Sequence, residues 1–189
     1  MYLSPSLRRS FLDSITQNAF PDYKVILRDY KAILKQRNML LKNISLWNSQ
    51  PNELDFWDQK FIEIAYKVYS YRLKICKYLA THTNNFTQHF LWKIQNTTFK
   101  YITKVDLKDI KQSISSYLTE NRQRDIILKS THIGPHRDDF NLLVDDVSLV
   151  DFASRGEVKS IILEMKFLEI DFIIQTQSKT PLLLIDDLL

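Results

Sequence analysis

Glycine is nearly missing from this sequence: Gly134 and Gly156 are the two in 189 residues. Loops that cradle phosphates need glycine wherever the backbone must approach the ligand or take positive φ. Two glycines can build neither a dinucleotide fingerprint nor a Walker A loop. The nearest imitation, Gly156-Glu157-Val158-Lys159-Ser160, has the Lys-Ser pair but places Val158 where the second glycine belongs, so it is rejected as a phosphate loop. Cysteine is equally scarce. Cys76 stands alone, which excludes an internal disulfide framework and a cysteine-based metal cluster and points to a reducing, cytoplasmic setting. No apolar run approaches the roughly 20 residues that a membrane-spanning helix needs. No apolar stretch follows basic residues at the N-terminus, so a signal peptide is not expected either.

What is present reads as a folded chain. Hydrophobic residues make up 44% and charged residues 25%, a globular balance rather than a disordered one. The net charge of +4 is unevenly spread: residues 1–140 carry +9 and residues 141–189 carry −5. A basic first part suits a polyanion such as DNA, because phosphate contacts release condensed counterions. Well-solvated, lysine-rich helices would look the same.

Residues 6–89 have helical periodicity, broken near Phe20-Pro21-Asp22 and again near Ser49-Gln50-Pro51-Asn52. Tyr23, Leu27, Tyr30, Leu34 and Leu41 share one stripe. Trp57, Phe61, Ile64, Val68, Tyr71, Ile75 and Tyr78 alternate steps of four and three, the spacing of a coiled-coil seam. The two segments are expected to pack antiparallel, in a short coiled coil or in a plain helical bundle. Phe90 to Thr103 reads as extended, and Asp106 is placed to cap a helix ending near Thr119–Gln123. Phe140 to Phe152 has strand character with a turn at Asp145-Asp146. A helix from Gly156 to about Ile174, apolar on most sides, is expected to be buried, and Pro181-Leu182-Leu183-Leu184-Ile185 reads as a strand buried on both faces. Strand, helix, strand is the cadence of an α/β sheet.

Two stretches carry chemistry. Ser154-Arg155-Gly156-Glu157 is a capping box, in which the serine accepts from a free N–H of the helix and the glutamate reaches back. It can also be read as an ABC signature motif, whose serine, glycine and helix end address a nucleotide γ-phosphate. Leu182-Leu183-Leu184-Ile185-Asp186-Asp187 matches a Walker B strand, in which Asp186 would hold Mg²⁺ through water and Asp187 would prepare the attacking water. It is also what a strand ending in a polar loop looks like. Together, in this order, the two are much more specific than either alone.

The block Thr131-His132-Ile133-Gly134-Pro135-His136-Arg137-Asp138-Asp139 closely resembles a Gly-Pro-His-Arg-Asp-Asp stretch of the RecF family, ATPases of the ABC/SMC type. Ser4-Pro5 with Arg8-Arg9-Ser10-Phe11-Leu12-Asp13, Leu34-Lys35-Gln36-Arg37-Asn38 with Leu40-Leu41-Lys42, and Trp57-Asp58 extend the resemblance nearly end to end. It implies an α/β ABC-type ATPase head portion with an inserted all-α lobe. Residues 1–89 would form the helical lobe, 90–130 a mixed connection, and 131–189 the C-terminal part of the head. It further implies binding of ATP with Mg²⁺ and an ATP-dependent homodimer. Double-stranded and gapped DNA, RecR and RecO would be the partners, in DNA repair, recombination, replication and the SOS response. Asp187 would be catalytic, Asp186 the metal residue, and Ser154, Arg155, Gly156 and Glu157 would meet nucleotide in trans. Arg155 departs from many relatives. With neither a phosphate loop before residue 1 nor a D-loop or switch histidine after Leu189, the chain is expected to be an internal fragment, inactive by itself. His132 and His136, flanking Gly134-Pro135, read as structural hydrogen-bond donors or as metal ligands, the first fitting better because no third ligand sits at metal-site spacing. The rival readings are a non-catalytic helical interaction module and the head of another SMC-like ATPase, such as an overcoming-lysogenization nuclease.

Overall fold

A computed structural model describes residues 4–83, 97–178 and 181–182. The chain opens with α1 (Pro5–Ala19), which has proline in its first turn, where no N–H is missed. Phe20 leaves it in extended backbone, and after a turn at Pro21-Asp22 the chain enters α2 (Tyr23–Ser45). A 3₁₀ turn (Pro51–Glu53) leads into α3 (Leu54–His82). Both helix breaks fall at the prolines, as the sequence indicates. After β1 (Thr97–Ile102) come α4 (Ile110–Glu120) and α5 (Arg122–Leu128). Then follow β2 (Asp139–Val144), β3 (Val147–Ser148), the short α6 (Leu149–Phe152) and α7 (Arg155–Gln177).

The scarcity of glycine shows in the backbone. Among the described residues, Trp47, Lys129, Asp145, Asp146 and Ser178 take positive φ without being glycine. Asp145 and Asp146, at φ 49° and 65°, join β2 to β3 with Val144 opposite Val147. Two consecutive left-handed residues are what a type I′ hairpin turn requires, and aspartate tolerates that region better than most.

Two compact units emerge, and neither is a contiguous stretch. The first comprises Met1–Pro21, Leu73–Tyr101 and Phe140–Leu189; the second comprises Asp22–Arg72 and Ile102–Asp139. This division differs from blocks of 1–89, 90–130 and 131–189, because α1 and the end of α3 pack with the strands and α7.

In the first unit the sheet order is β1-β2-β3. Alternate residues of β2 are buried, so one face meets the core. Phe99 and Phe140 stack with ring centroids 5.1 Å apart. Around them lie Leu12, Ile15, Ile75, Leu79 and Met165, each contributing roughly 1.5–3 kcal/mol by burial. The α1–α7 contact is also polar: Asn18 Nδ2 donates to Glu169 Oε1 at 2.7 Å, and Gln177 Nε2 to the Ala19 carbonyl at 2.9 Å. α7 is buried on one face, through Val158, Ile161, Met165 and Ile173, while Phe167 and Ile174 are exposed. The expectation of a helix covered on most sides is corrected accordingly.

In the second unit α2 and the first part of α3 run antiparallel. Tyr23 meets Tyr71, Tyr30 meets Phe61, and Arg37 meets Asp58. The buried residues of this part of α3 are Leu54, Asp58, Phe61, Ile64, Ala65, Val68, Tyr69 and Arg72, so Phe61, Ile64 and Val68 of the expected seam are buried. Trp57 and Tyr71, placed on the seam by sequence, are only half-buried. α4 is capped by Asp109, whose carboxylate accepts from Gln112 N, whereas Asp106 accepts from Lys108 N in the turn before it. The sequence names the wrong aspartate because both precede the same apolar pattern. The strand expected over 90–103 is described only from Thr97, and that over 181–185 lies outside the described residues beyond Leu182.

Candidate functional site

The N-terminus of α7 is built by a reciprocal cap. Ser154 Oγ accepts from Glu157 N at 3.3 Å, and Ser154 N donates to Glu157 Oε2 at 2.7 Å. Hydrogen bonds from the Ser154 side chain first, and from its backbone second, hold the Glu157 carboxyl below its ordinary range. Ser154, Gly156 and Glu157 stand at the surface. A Cβ built on Gly156 meets nothing within 4 Å, so the ground beside the helix end is open. Arg155 begins the helix. A hydroxyl has one donor and two acceptor sites; within the cap Ser154 Oγ accepts from Glu157 N and its O–H is directed at the Glu157 carboxylate.

The Thr131–Asp139 block belongs to the second unit, and its geometry is architectural. Gly134 sits at φ 112°, with its would-be Cβ 2.8 Å from Phe61 Cζ and 3.2 Å from the Tyr30 hydroxyl. A left-handed backbone pressed on an aromatic ring is what only glycine permits here. His136 Nε2 lies 3.0 Å from the Thr131 carbonyl and Nδ1 lies 2.6 Å from Tyr30 Oη. The carbonyl can only accept, so Nε2 carries a proton, and Nδ1 shares its hydrogen bond with the tyrosine hydroxyl. Both ring nitrogens are therefore committed to protein partners. Arg137 Nε donates to the same carbonyl at 2.9 Å. Arg72 Nη1 donates to the Pro135 carbonyl at 2.7 Å. Asp138 is buried, and Asp139 opens β2.

Beneath this loop lies a charged network that the sequence reading does not resolve. Arg37 is 0% exposed. Its Nε donates to Asp58 Oδ1 at 2.7 Å; its Nη1 donates to Asp125 Oδ2 at 2.9 Å and to Thr131 Oγ1 at 2.6 Å. Asp58 also accepts from Arg122 Nη2 at 3.0 Å, and Asp125 from His132 Nδ1 at 3.1 Å. Asn38 Oδ1 accepts from the Thr131 amide. The arginine guanidinium stays charged where two carboxylates answer it. The available signal was periodicity: position 37 falls on the stripe of 23, 27, 30, 34 and 41, where a leucine would be ordinary.

Asp186 and Asp187 lie outside the described residues. Ser154–Glu157 and Gly134–Asp138 belong to different compact units.

No family model matches the chain. Among curated proteins, the DNA replication and repair protein RecF of Streptococcus uberis is 34% identical over 189 residues, covering 98% of this chain and 51% of that protein. RecF of Ruminiclostridium cellulolyticum is 32% identical over 191 residues, with the same coverage. Among solved structures, the recombination mediator protein RecF with ATP superposes at a TM-score of 0.89, with 25% identity, over 98% of this chain and 51% of that one. A second RecF structure, with ATPrS, gives 0.85 and 26%. The fold, with its capped α7 and its antiparallel helix pair, is that of an α/β ABC-type ATPase head portion with a helical lobe. Within that class the chain is similar to RecF along 98% of its length, and it spans about half the length of the curated RecF proteins it matches.

Proposed function

We propose that this chain forms part of a RecF-like, ATP-dependent DNA-binding protein of recombinational repair and replication-gap processing, one that dimerises on ATP and helps to load recombinase. The observation that carries the reading is the match to RecF along 98% of the chain. On this reading RecR and RecO are partners, double-stranded and gapped DNA is the substrate, and the cytoplasm is the location. The α7 end fits its assigned part. The free N–H groups of the first turn offer donors, and Gly156 leaves room for a γ-phosphate presented by a second protomer, which would compete with Glu157 for the Ser154 hydroxyl. Glu157 holds the turn in register. Asp186 is assigned to Mg²⁺, through water, and Asp187 to preparing the attacking water. When bound, the metal would neutralise charge developing on the transferred phosphoryl group.

A chimera tests this, with these 189 residues replacing the matching half of Streptococcus uberis RecF. It is expected to dimerise with ATP on size-exclusion chromatography. Asp187→Asn should keep the dimer and lose hydrolysis. Ser154→Arg should keep nucleotide binding and lose the dimer, because a bulky cation fills the γ-phosphate position. A Ser154→Arg chimera that dimerises and hydrolyses normally would reduce Ser154-Arg155-Gly156-Glu157 to a helix cap. The chain by itself, with no glycine loop in its sequence, should bind Mg-ATP only weakly, and calorimetry reads that directly.

A further inference from the structure

Within the second unit, α2 and the end of α5 line a groove of about 430 Å³. Lys31, Lys35 and Lys42 reach it from α2, and Lys129 from the left-handed C-cap of α5, while Leu34 and Met39 supply apolar surface. No carboxylate lines it. Among the described residues none of these four ammonium groups has an ion-pair or side-chain hydrogen-bond partner. Some lysines elsewhere are engaged, Lys111 with Glu63, Lys166 with Glu169 and Lys60 over the Phe56 ring, and others are solvated singly; what sets these four apart is that they surround one apolar surface. Four unanswered cations around an apolar cleft are a charge pattern awaiting its complement.

We infer that this α2–α5 groove docks an acidic peptide segment of a partner protein, one that places an apolar side chain against Leu34 and Met39 and carboxylates against the lysines. Apolar anchors in a cleft supply affinity, while surrounding charges set register and encounter rate. A duplex backbone offers phosphates but no side chain to fill a concave apolar surface. Single-stranded nucleic acid would call for aromatic platforms, and none lines the groove. The inference goes beyond the ATP-dependent reading and does not use Ser154 or Gly156.

The test is fluorescence anisotropy on the full chain, using a fluorescein-labelled peptide of aspartates around one leucine and one phenylalanine. That peptide should bind. Replacing its aspartates by asparagine, or its two apolar residues by alanine, should each weaken binding about tenfold. The double variant Lys35→Glu/Lys42→Glu and, separately, Met39→Asp should weaken it by about the same factor. All three positions are exposed, so circular dichroism should be unchanged. Duplex DNA binding should be insensitive to Met39→Asp. The inference is overturned if the peptide does not bind, if its binding ignores these variants, or if they weaken duplex binding in its place. Those outcomes leave the chimera's ATP-dependent dimer unaffected, so the two readings fail separately.

Discussion

Gly134 and Gly156 are chemically identical and structurally opposite. At Gly134 an added methyl would strain a backbone at φ 112° and strike Phe61. Gly134→Ala should therefore destabilise the chain by about 2–4 kcal/mol, read from urea unfolding midpoints. Gly156 lies in the first turn of α7, with open space around it. Gly156→Ala should leave stability unchanged or raise it by about 0.5 kcal/mol. If the signature reading is right, the same change weakens the ATP-dependent dimer of the chimera, because the methyl occupies the approach to the phosphate. Stability and dimerisation moving in opposite directions would mark a functional glycine, and their moving together would argue against it. Arg37 gives the second residue-scale expectation. Arg37→Met leaves Asp58 and Asp125 facing each other's surroundings without the guanidinium between them. A loss of about 3–5 kcal/mol is expected, since removing one side of a buried pair strands a charge. Asp125→Asn added to Arg37→Met should restore part of that loss, and strict additivity of the two would speak against a shared network.

At the scale of elements, the helix pair buries Phe61, Ile64 and Val68 as periodicity suggests, and adds the charged Asp58 and Arg72 that periodicity does not. Val68 is 0% exposed. Val68→Asp should lower stability by a few kcal/mol, since the carboxylate would be buried without a partner. Thermal unfolding and helicity unchanged from the parent would mean that this face is solvated. The added charges have a physical origin. A pattern reader skips Asp58 and Arg72 because they are charged, yet Arg37 and the Pro135 carbonyl make those positions habitable inside the unit. Local chemistry was legible: the Ser154 cap, the prolines between helices and the Asp145-Asp146 turn all depend on neighbours a few residues away. The choice of Asp109 over Asp106 was not, since either aspartate satisfies the same local rule.

At the scale of the whole molecule, charge follows the fold rather than the chain order. Reassigned to the compact units, the formal balance is +4 for the second unit and 0 for the first, in place of +9 and −5 for the two contiguous stretches. If DNA is a partner, affinity for duplex should fall steeply with salt, log K declining by about 0.9 per phosphate contact against log salt. Titrations at two ionic strengths suffice; binding indifferent to salt, or no binding at low salt, removes DNA as a partner of these 189 residues. By the same reasoning, charge-reversing substitutions at exposed lysines of the second unit should flatten that slope more than equal substitutions in the first. The resemblance to RecF was readable from the Thr131–Asp139 block alone, because a run of special residues is rarely matched by chance. What those residues do was not readable. His136 answers Tyr30 across 106 positions, and Arg37 reaches Asp58, Asp125 and Thr131 across 21, 88 and 94. The sequence by itself determined the helix breaks at the prolines, the Ser154 cap, the hairpin turn and the likeness to RecF, each governed by short-range chemistry or by the rarity of a motif. Only the tertiary structure decided that an arginine would be buried and a glycine pressed against a ring, because a buried charge and a close approach exist only once distant segments supply the partners.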